Sequence, residues 1–298
     1  MSTLGIGINV WNGQKYIKRV ILSLLSQSYQ NYKIIILDNN SNDNTVKIIK
    51  KIISRNKNKI ILIKDIKNRT IFEAQKHLLN NFLFKFKYSM IANDDDFYNT
   101  KYISTLLPKI INERVSMVYS FKKYIDDKNK FYYMSNYPCY SLNDSKFFNT
   151  LKFIIFRNHM QISFGIFTTK SYIELMKHSQ VYDSSGTNSD NISMIYFLLN
   201  HKVNHTKKFL FYYSKKDRSK ISQERKLFIY SRAISMIKIF KYEYFYFLKA
   251  KKLIFQSIHQ NLIQKLLLVF FLIIIFFQKT FSYNFKFLYK LINAKIYK

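Results

Sequence analysis

The sequence predicts an α/β fold in which a mostly parallel sheet is flanked by helices and followed by a basic, aromatic helical tail. Short β-branched runs alternate with helix-period segments through the first hundred residues, as in repeated strand–helix–strand units. The 298 residues are 48% hydrophobic and 18% aromatic, enough to fill a large core. After about residue 214, lysines and aromatic residues surround one long apolar run.

The first half of the chain is expected to supply four strands, at residues 4–10, 32–38, 59–64 and 88–93. Helices are expected to connect them, because apolar residues between the strands recur at helical spacing. On the first helix these residues are Ile17, Val20, Ile21, Leu24 and Leu25.

Two further connecting helices have their own start signals or polar character. The helix after the second strand begins within "SNDNT", with Ser41, Asp43 or Asn44 as its expected cap. A polar helix is expected at about 70–84. Together these elements predict four β units with crossover helices.

The second half changes to aromatic, strand-like pieces. Strands are expected at 116–125, 130–134, 162–169 and 205–213, and a helix at 188–200. No internal repeat or Gly/Ser-rich linker separates this half from the tail, so a boundary near residue 214 is a soft one.

Polar residues follow three of the predicted strands. Ligands of parallel α/β sheets bind just beyond the carboxyl ends of the strands, so these residues are expected to share one rim. They are Asn9, Trp11 and Asn12 after the first strand, Asp38 and Asn39 after the second, and Asp94, Asp95 and Asp96 after the fourth.

The acidic run "NDDD" at residues 93–96 is unusual in a chain with 49 Lys+Arg and 17 Asp+Glu. Adjacent carboxylates raise each other's pKa unless a cation lies between them. Two interpretations follow: a solvated turn that caps the next helix, or a metal site.

Composition limits the remaining classes of function. The net charge of +32 comes from 41 Lys and only 8 Arg, which fits an A/T-rich coding bias better than selection for phosphate binding, where Arg forks are favoured. A nucleic-acid-binding protein is therefore the less favoured alternative. Cys139 is the only cysteine, which excludes an internal disulfide and a Cys-based zinc cluster.

Residues 8–45, "INVWNGQKYIKRVILSLLSQSYQNYKIIILDNNSNDNT", resemble the opening of family 2 glycosyltransferases. The family pattern is T-x-Y-N-G, a helix ending S-I-L-x-Q-T, a strand, and D-D-x-S-x-D-x-T. The matching positions are Asn12, Gly13, Tyr16, Leu22, Ser23, Leu25, Gln27, Ser28, Tyr29, Asp38, Ser41, Asp43 and Thr45. The run "YSMIANDDDFYNTKY" resembles the D-x-D segment, and the resemblance extends over roughly residues 4–210.

The resemblance implies a Rossmann-like GT-A fold. The catalytic domain would span 1–213, with a nucleotide-binding half at 1–115 and an acceptor half at 116–213, and residues 214–298 would form the tail. The implied activity is inverting transfer from a UDP- or dTDP-type donor to a saccharide or lipid-linked saccharide, in bacterial surface polysaccharide or lipopolysaccharide synthesis. Asn39 and Asn93, where the family often has Asp, leave open an inactive protein that acts in assembly.

A hard divalent cation, Mn²⁺ or Mg²⁺, would neutralise the leaving diphosphate. The resemblance assigns it to Asp95, with Asp96 beside it as a second ligand. The implied nucleotide-sugar site comprises Asn9, Trp11, Asp38, Asn39, Arg69, Asn93 and Asp94. In it, Trp11 would stack on a pyrimidine, and Asp38 would accept its imide N–H.

Inverting transfer also needs a general base for the acceptor hydroxyl. The resemblance favours Asp190, which begins a predicted helix, over Asp183 or a plain helix-terminal carboxylate. Gly165 would lie on the acceptor side. The histidines do not have the spacing of a zinc site.

The apolar run at 266–277 has twelve residues, fewer than the roughly 20 that span a bilayer. It is expected to lie in the membrane interface, to pack on the domain, or to form a dimer contact. No secretory signal is visible at the start of the chain. A cytoplasmic protein is therefore expected, with peripheral membrane contact through 253–298.

Overall fold

The computed structural model describes residues 3–67, 69–125, 131–134, 139–156, 165–178, 189–214 and 232–296. Of these, the side chains at 131–134, 189–190, 232–242 and 281–296 lie outside the description. In these ranges the chain forms one sheet with helices on both faces.

Nine strands make up the sheet in the described part of the chain. They are β1 (Leu4–Val10), β2 (Tyr32–Asp38), β3 (Ile60–Lys64), β4 (Tyr88–Ala92), β5 (Phe97–Tyr98), β6 (Met117–Ile125), β7 (Phe131–Met134), β8 (Ile166–Thr168) and β9 (Val203–Ser214). Their order across the sheet is β3-β2-β1-β4-β8-β6-β9-β5, and β7 pairs with β6. The predicted α/β fold is confirmed.

The sheet is mixed, because its two halves are built differently. Strands β3, β2, β1 and β4 are parallel, as the crossover helices require. The short strand β8 runs antiparallel between β4 and β6, and β9 is again parallel to β6. As a result β1, β2, β4 and β9 all end at the same edge of the sheet.

The helices pack on the two faces of the sheet. One face carries α1 (Ile17–Leu25), α2 (Thr45–Ile53) and α4 (Tyr102–Asn112). The other carries α3 (Ile71–Leu78) with a π-helical turn at Leu79–Leu83, α5 (Lys146–Phe156), α6 (Thr169–Lys177), α7 (Ser189–Asn200), α8 (Arg232–Gln256) and α9 (Leu262–Ile296).

Side chains cap the starts of α3 and α2, and at α2 the cap is one of the three candidates expected from the sequence. Thr70 and Glu73 form a capping box at the start of α3. At α2 the residue before the helix is Asn44, but the oxygen that accepts from the Thr45 amide belongs to Asp43, at 2.9 Å. Asp43 is thus the side chain that caps α2.

The two tail helices share a hydrophobic core with the sheet and with the helices on one of its faces. Buried side chains of α8 and α9, including Tyr246, Ile254, Leu268 and Leu272, belong to the same cluster as Phe153 of α5. Of the three expectations for the tail, packing on the domain therefore describes one face of these helices.

Gly165 shows where the sheet tolerates no side chain. A Cβ there would lie 2.6 Å from the Val118 carbonyl oxygen, an atom of the sheet backbone. At Gly7 the nearest atom would be a flexible Leu83 methyl at 3.1 Å. The close approach of β6 thus accounts for glycine at position 165.

We predict that Gly165→Ala lowers the free energy of unfolding by about 2–3 kcal/mol, the range of overpacking strain against atoms that cannot move aside. The matched variant Gly7→Ala should cost less than about 1 kcal/mol, because a side chain can yield there. Urea denaturation measures both. Equal costs for the two variants would contradict this account of the β6–β8 contact.

Candidate functional site

The candidate site lies at the edge where β1, β2, β4 and β9 end. The loops after β1 and β2 are joined there by hydrogen bonds. The Asn12 amide donates to Ser41 Oγ at 2.9 Å, and the Asn42 amide donates to Asn12 Oδ1 at 3.0 Å. Asn12 and Asn40 have φ angles of 50° and 64°, a left-handed conformation that asparagine tolerates better than most residues. The two loops therefore form one rim.

Two buried oxygens on this rim have no hydrogen-bond donor among the described residues. They are Oδ1 of Asp38, a residue that is 2% exposed, and Oδ1 of Asn9. The other oxygen of Asp38 accepts only a long bond, 3.4 Å, from the Ser41 amide. A buried acceptor without a donor costs free energy, so these atoms are suited to a ligand that brings its own N–H or O–H.

Trp11 is 54% exposed, next to these acceptors. A tryptophan in the hydrophobic core would be nearly covered. Its indole face is thus accessible at the end of β1, where the sequence placed a stacking residue.

Asn39 has a structural task. Its Nδ2 donates to the Arg69 carbonyl at 2.7 Å, and its Oδ1 accepts from the Arg69 amide at 2.9 Å. The Arg69 guanidinium in turn pairs with Asp65. This side chain holds the segment before α3 against the rim, a task for which an amide, with its donor and acceptor, is better suited than a carboxylate.

The acidic loop that follows β4 joins the same rim. A Cβ built on Gly13 would lie 3.3 Å from Asp94 Oδ2, so the loop after β1 passes directly beside this carboxylate. Asp94 and Asp95 are partly exposed, and they are the two carboxylates of the loop that reach solvent.

Asp96 is completely buried and faces the protein. Its Oδ1 accepts from the Ser214 amide and its Oδ2 from Asn93 Nδ2, both at 2.8 Å. Burial, and next the like charge of Asp95, raise the pKa of Asp96 to about 8. Both oxygens of Asp96 therefore accept hydrogen bonds that hold the loop in place, and its role as a metal ligand stays a prediction.

The backbone of Asp95 is fixed by two donors. Arg19 of α1 donates from Nη2 to the Asp95 carbonyl at 2.5 Å, and Ser214 Oγ donates to the same oxygen at 2.6 Å. The guanidinium also lies 4.8 Å from the centre of the Phe97 ring. The acidic loop is thus tied at once to α1 and to the end of β9.

Lys122 places a second cation behind this loop. It is 1% exposed, and its Nζ has no hydrogen-bond partner among the described residues. The ammonium lies 4.9 and 5.2 Å from the ring centres of Tyr124 and Tyr213. Burial lowers the pKa of Lys122 to about 8, while the nearby Asp96 carboxylate raises it. A buried positive charge therefore partly balances the acidic loop from inside.

The donor set at the rim fits a hard divalent cation. Within the described residues no three metal-ligating side chains converge. A site whose ligands all come from the protein would need such a cluster. Mg²⁺ in nucleotide enzymes is instead commonly held by one or two carboxylates, with substrate phosphates and water completing the shell. Asp94 and Asp95 can supply those carboxylates.

The expected acceptor side is described only in part. Asp190 is the second residue of α7, but its side chain lies outside the described residues, as do Asp183 and His159. Gly165 is buried against β6, and this close packing accounts for glycine at that position without any contact to a sugar acceptor. His178, His201 and His205 form no metal cluster within the described chain.

Sequence reasoning missed Arg19, Ser214 and Lys122, because each approaches the acidic loop only in the folded chain. Arg19 lies 76 positions before Asp95, Ser214 lies 118 positions after Asp96, and Lys122 lies on β6, apart from the loop. One signal was available. In a chain with 41 Lys and 8 Arg, an arginine on the first helix stands against the coding bias, and an Arg fork suits two acceptors at once.

Solved structures share the fold. S. aureus TarS 1-349 superposes with a TM-score of 0.65 at 14% identity, covering 94% of this chain and 72% of TarS. The same fragment in complex with UDP-GlcNAc has a TM-score of 0.62 at 16% identity, covering 90% and 70%. The mannosyltransferase PcManGT from Pyrobaculum calidifontis, in complex with GDP-Man and Mn²⁺, has a TM-score of 0.52 at 11% identity, covering 73% and 58%. At these identities the likeness shows the GT-A fold alone.

Sequence similarity gives the family. An uncharacterized glycosyltransferase from Haemophilus influenzae is 40% identical over 57 residues, which is 19% of this chain and 23% of that protein. The family Glycosyl transferase family 2 matches residues 6–173, more than half of the chain, and includes the rim and the acidic loop. The chain therefore belongs to glycosyl transferase family 2.

Proposed function

We propose that this protein is an inverting glycosyltransferase that uses a UDP- or dTDP-type sugar donor. The observation that carries the proposal is the joining of two sites on one rim: the unpartnered buried oxygen of Asp38 and the exposed carboxylates of the acidic loop, with Gly13 beside Asp94. UDP and dTDP have an imide N–H at one end and a diphosphate at the other. The rim offers an acceptor for the imide N–H. It also offers carboxylates that could hold a cation against the diphosphate.

The nucleoside end is assigned to Asp38, Asn9 and Trp11. A uracil or thymine imide N–H would donate to Asp38 Oδ1, and the exposed indole of Trp11 would stack on the ring. The TarS structures that contain UDP and UDP-GlcNAc support a uridine donor for a protein of this fold. Arg69 lies on the same rim, held by Asn39.

The diphosphate end is assigned to Asp95, with Asp94 beside it. A bound Mn²⁺ or Mg²⁺ would neutralise the charge that develops on the leaving diphosphate. Arg19 and Ser214 fix the backbone of Asp95 so that its carboxylate keeps one position. PcManGT was solved with Mn²⁺, which supports a cation in this fold.

The transfer is one displacement at the anomeric carbon. Asp190, in the first turn of α7, takes the proton of the acceptor hydroxyl; the acceptor oxygen forms a bond to C1, and the bond from C1 to the diphosphate oxygen breaks. The nucleoside diphosphate leaves with that electron pair, and the anomeric configuration is inverted.

The acceptor is proposed to be a saccharide or lipid-linked saccharide of a bacterial surface polysaccharide or lipopolysaccharide. Gly165 is assigned to the acceptor half, through the strand β8 that it precedes. We place the enzyme in the cytoplasm, at the inner face of the cell membrane, where nucleotide sugars and lipid-linked acceptors meet.

The first test is base selectivity. Wild type should bind UDP at least tenfold more tightly than CDP, because cytosine presents an acceptor where uracil presents its imide donor. Asp38→Asn should narrow that ratio, since an amide can donate as well as accept. Calorimetric titrations measure the ratio of UDP to CDP affinity. dTDP, which has the same imide N–H, should bind like UDP. A ratio near one in wild type would contradict the role of Asp38.

The second test is the cation. Asp95→Asn should weaken Mn²⁺-dependent UDP binding by at least tenfold and lower donor turnover by about 100-fold, because the cation that the carboxylate would hold contributes several kcal/mol of charge stabilisation. Asp144→Asn is the matched control: Asp144 is a partly exposed carboxylate paired with Lys152 in the loop before α5. If both variants kept wild-type metal dependence, the site assignment would be wrong.

The third test separates chemistry from binding. Asp190→Asn should lower kcat by about 100-fold or more, the range for loss of a general base, with UDP affinity unchanged. Asp183→Asn should retain most of the activity. Wild-type chain that binds UDP but transfers no sugar to any saccharide acceptor would favour the inactive assembly protein.

A further inference from the structure

Helix α9 has one face buried in the hydrophobic core and an opposite face exposed to solvent. Leu268, Leu272 and Ile275 are 0–6% exposed and belong to the core that α5, α7 and α8 share. With about 3.6 residues per turn, the opposite side of the helix carries the remaining apolar residues. They include Leu262, Ile263, Leu266, Phe270, Ile274 and Phe277, and their exposed fractions lie between 42% and 70%.

This outward face of α9 contains no charged residue between Leu262 and Phe277. Lys265, the charge within this stretch, is half-buried on the protein side, where its Nζ donates to the Phe255 carbonyl at 3.0 Å. The outward face from Leu262 to Phe277, which also includes Leu267 and Ile273, thus presents eight apolar side chains, each at least 38% exposed. Monomeric proteins rarely expose a continuous apolar patch of this size, and such patches mark interaction surfaces.

The length of the apolar stretch also changes an expectation. The run at 266–277 was predicted to be too short for a bilayer, but the structure extends the apolar stretch to Leu262–Thr280, 19 residues, which is sufficient by length and composition. Spanning is nevertheless the less suitable arrangement. The buried side of α9 packs lengthwise on the domain, and a spanning helix would have to give up that contact.

The neighbouring helix α8 also exposes apolar side chains, together with positive charge. On α8, Leu248 and Phe255 are 43% and 41% exposed, and Lys251 and Lys252 lie exposed between them. Apolar side chains beside lysines suit the boundary between acyl chains and anionic headgroups, because the stems insert and the ammonium groups remain among the phosphates. A second copy would carry the same net charge of +32, and the repulsion between two such chains disfavours self-association.

We propose that the outward face of α9, with the exposed side of α8, inserts in the plane of an anionic lipid bilayer and holds the enzyme on the membrane surface. The axis of α9 then lies parallel to the membrane, and the packed side of the helix remains on the domain. The partner is the headgroup and acyl boundary of an anionic leaflet, and the proposal does not depend on the donor or the metal.

The experiment is flotation of the 298-residue chain with vesicles of phosphatidylcholine, with and without phosphatidylglycerol. Wild type should float with the anionic vesicles and bind at least tenfold less to neutral ones. Phe270→Ser, Ile274→Ser and Phe277→Ser together should lower binding at least tenfold. The matched control Ile61→Ser, Phe84→Ser and Ile111→Ser removes equally exposed apolar groups elsewhere and should bind like wild type.

Retained UDP binding and thermal melting show that both triple variants are folded. The proposal is overturned if wild type does not float, or if the control loses as much binding as the α9 variant. It is also overturned if the α9 variant floats normally while a wild-type dimer becomes a monomer, because the face would then join two copies.

A second measurement distinguishes lying from spanning. In a Cys139→Ser background, single cysteines at positions 263, 270 and 277 carry a fluorophore quenched by lipids brominated at known depths. An in-plane helix should place the three probes at one depth. A spanning helix would separate the outer two by about 21 Å along its axis, at 1.5 Å per residue, and that result would contradict the proposal.

Discussion

The hydrogen bonds of one buried carboxylate, Asp96, organise the candidate site. Asp96 accepts from the Ser214 amide and from Asn93, and so joins the loop after β4 to the last residue of β9. Burial disfavours the negative charge of Asp96. The two hydrogen-bond donors and the nearby Lys122 ammonium stabilise that charge. Arg19 then fixes the next residue, Asp95, from the opposite side. The exposed carboxylates keep their place because a third, unexposed one is held.

This arrangement divides the acidic run by task. Asn93 and Asp96 face each other and secure the loop, while Asp94 and Asp95 remain at the surface of the rim. Asn39 likewise has a structural role, because its side-chain amide is hydrogen-bonded to the backbone of Arg69. Both asparagines that depart from the family pattern therefore make hydrogen bonds in which their amide N–H group is the donor. Asn93 donates to the Asp96 carboxylate and Asn39 to the Arg69 carbonyl, and an ionised carboxylate in either place could not donate.

The sequence was sufficient for the first four strands, for the helices that connect them and for the rim. Alternation of β-branched runs with helical periods located β1 to β4, and the strand-end rule placed Asp38 and the acidic loop at one edge. The mixed half was harder, because β8 has only three residues and its direction depends on partners far along the chain. The burial of Asp96 was not predictable either: adjacent carboxylates look alike in sequence, and only the contact with Ser214, 118 positions away, separates them. For the tail, composition showed an apolar run, but the two faces of α9 depend on what packs against it.

The central claim is that the cation and the diphosphate meet at Asp95, while Asp96 stays inside the protein. Crystals grown with UDP and Mn²⁺, with anomalous scattering recorded at the manganese edge, test this directly. The account predicts one strong peak within coordinating distance of the Asp95 carboxylate, next to the diphosphate, and Asp96 still bonded to the Ser214 amide. A peak coordinated by Asp96, or UDP bound in that crystal with no manganese peak on the rim, would contradict it.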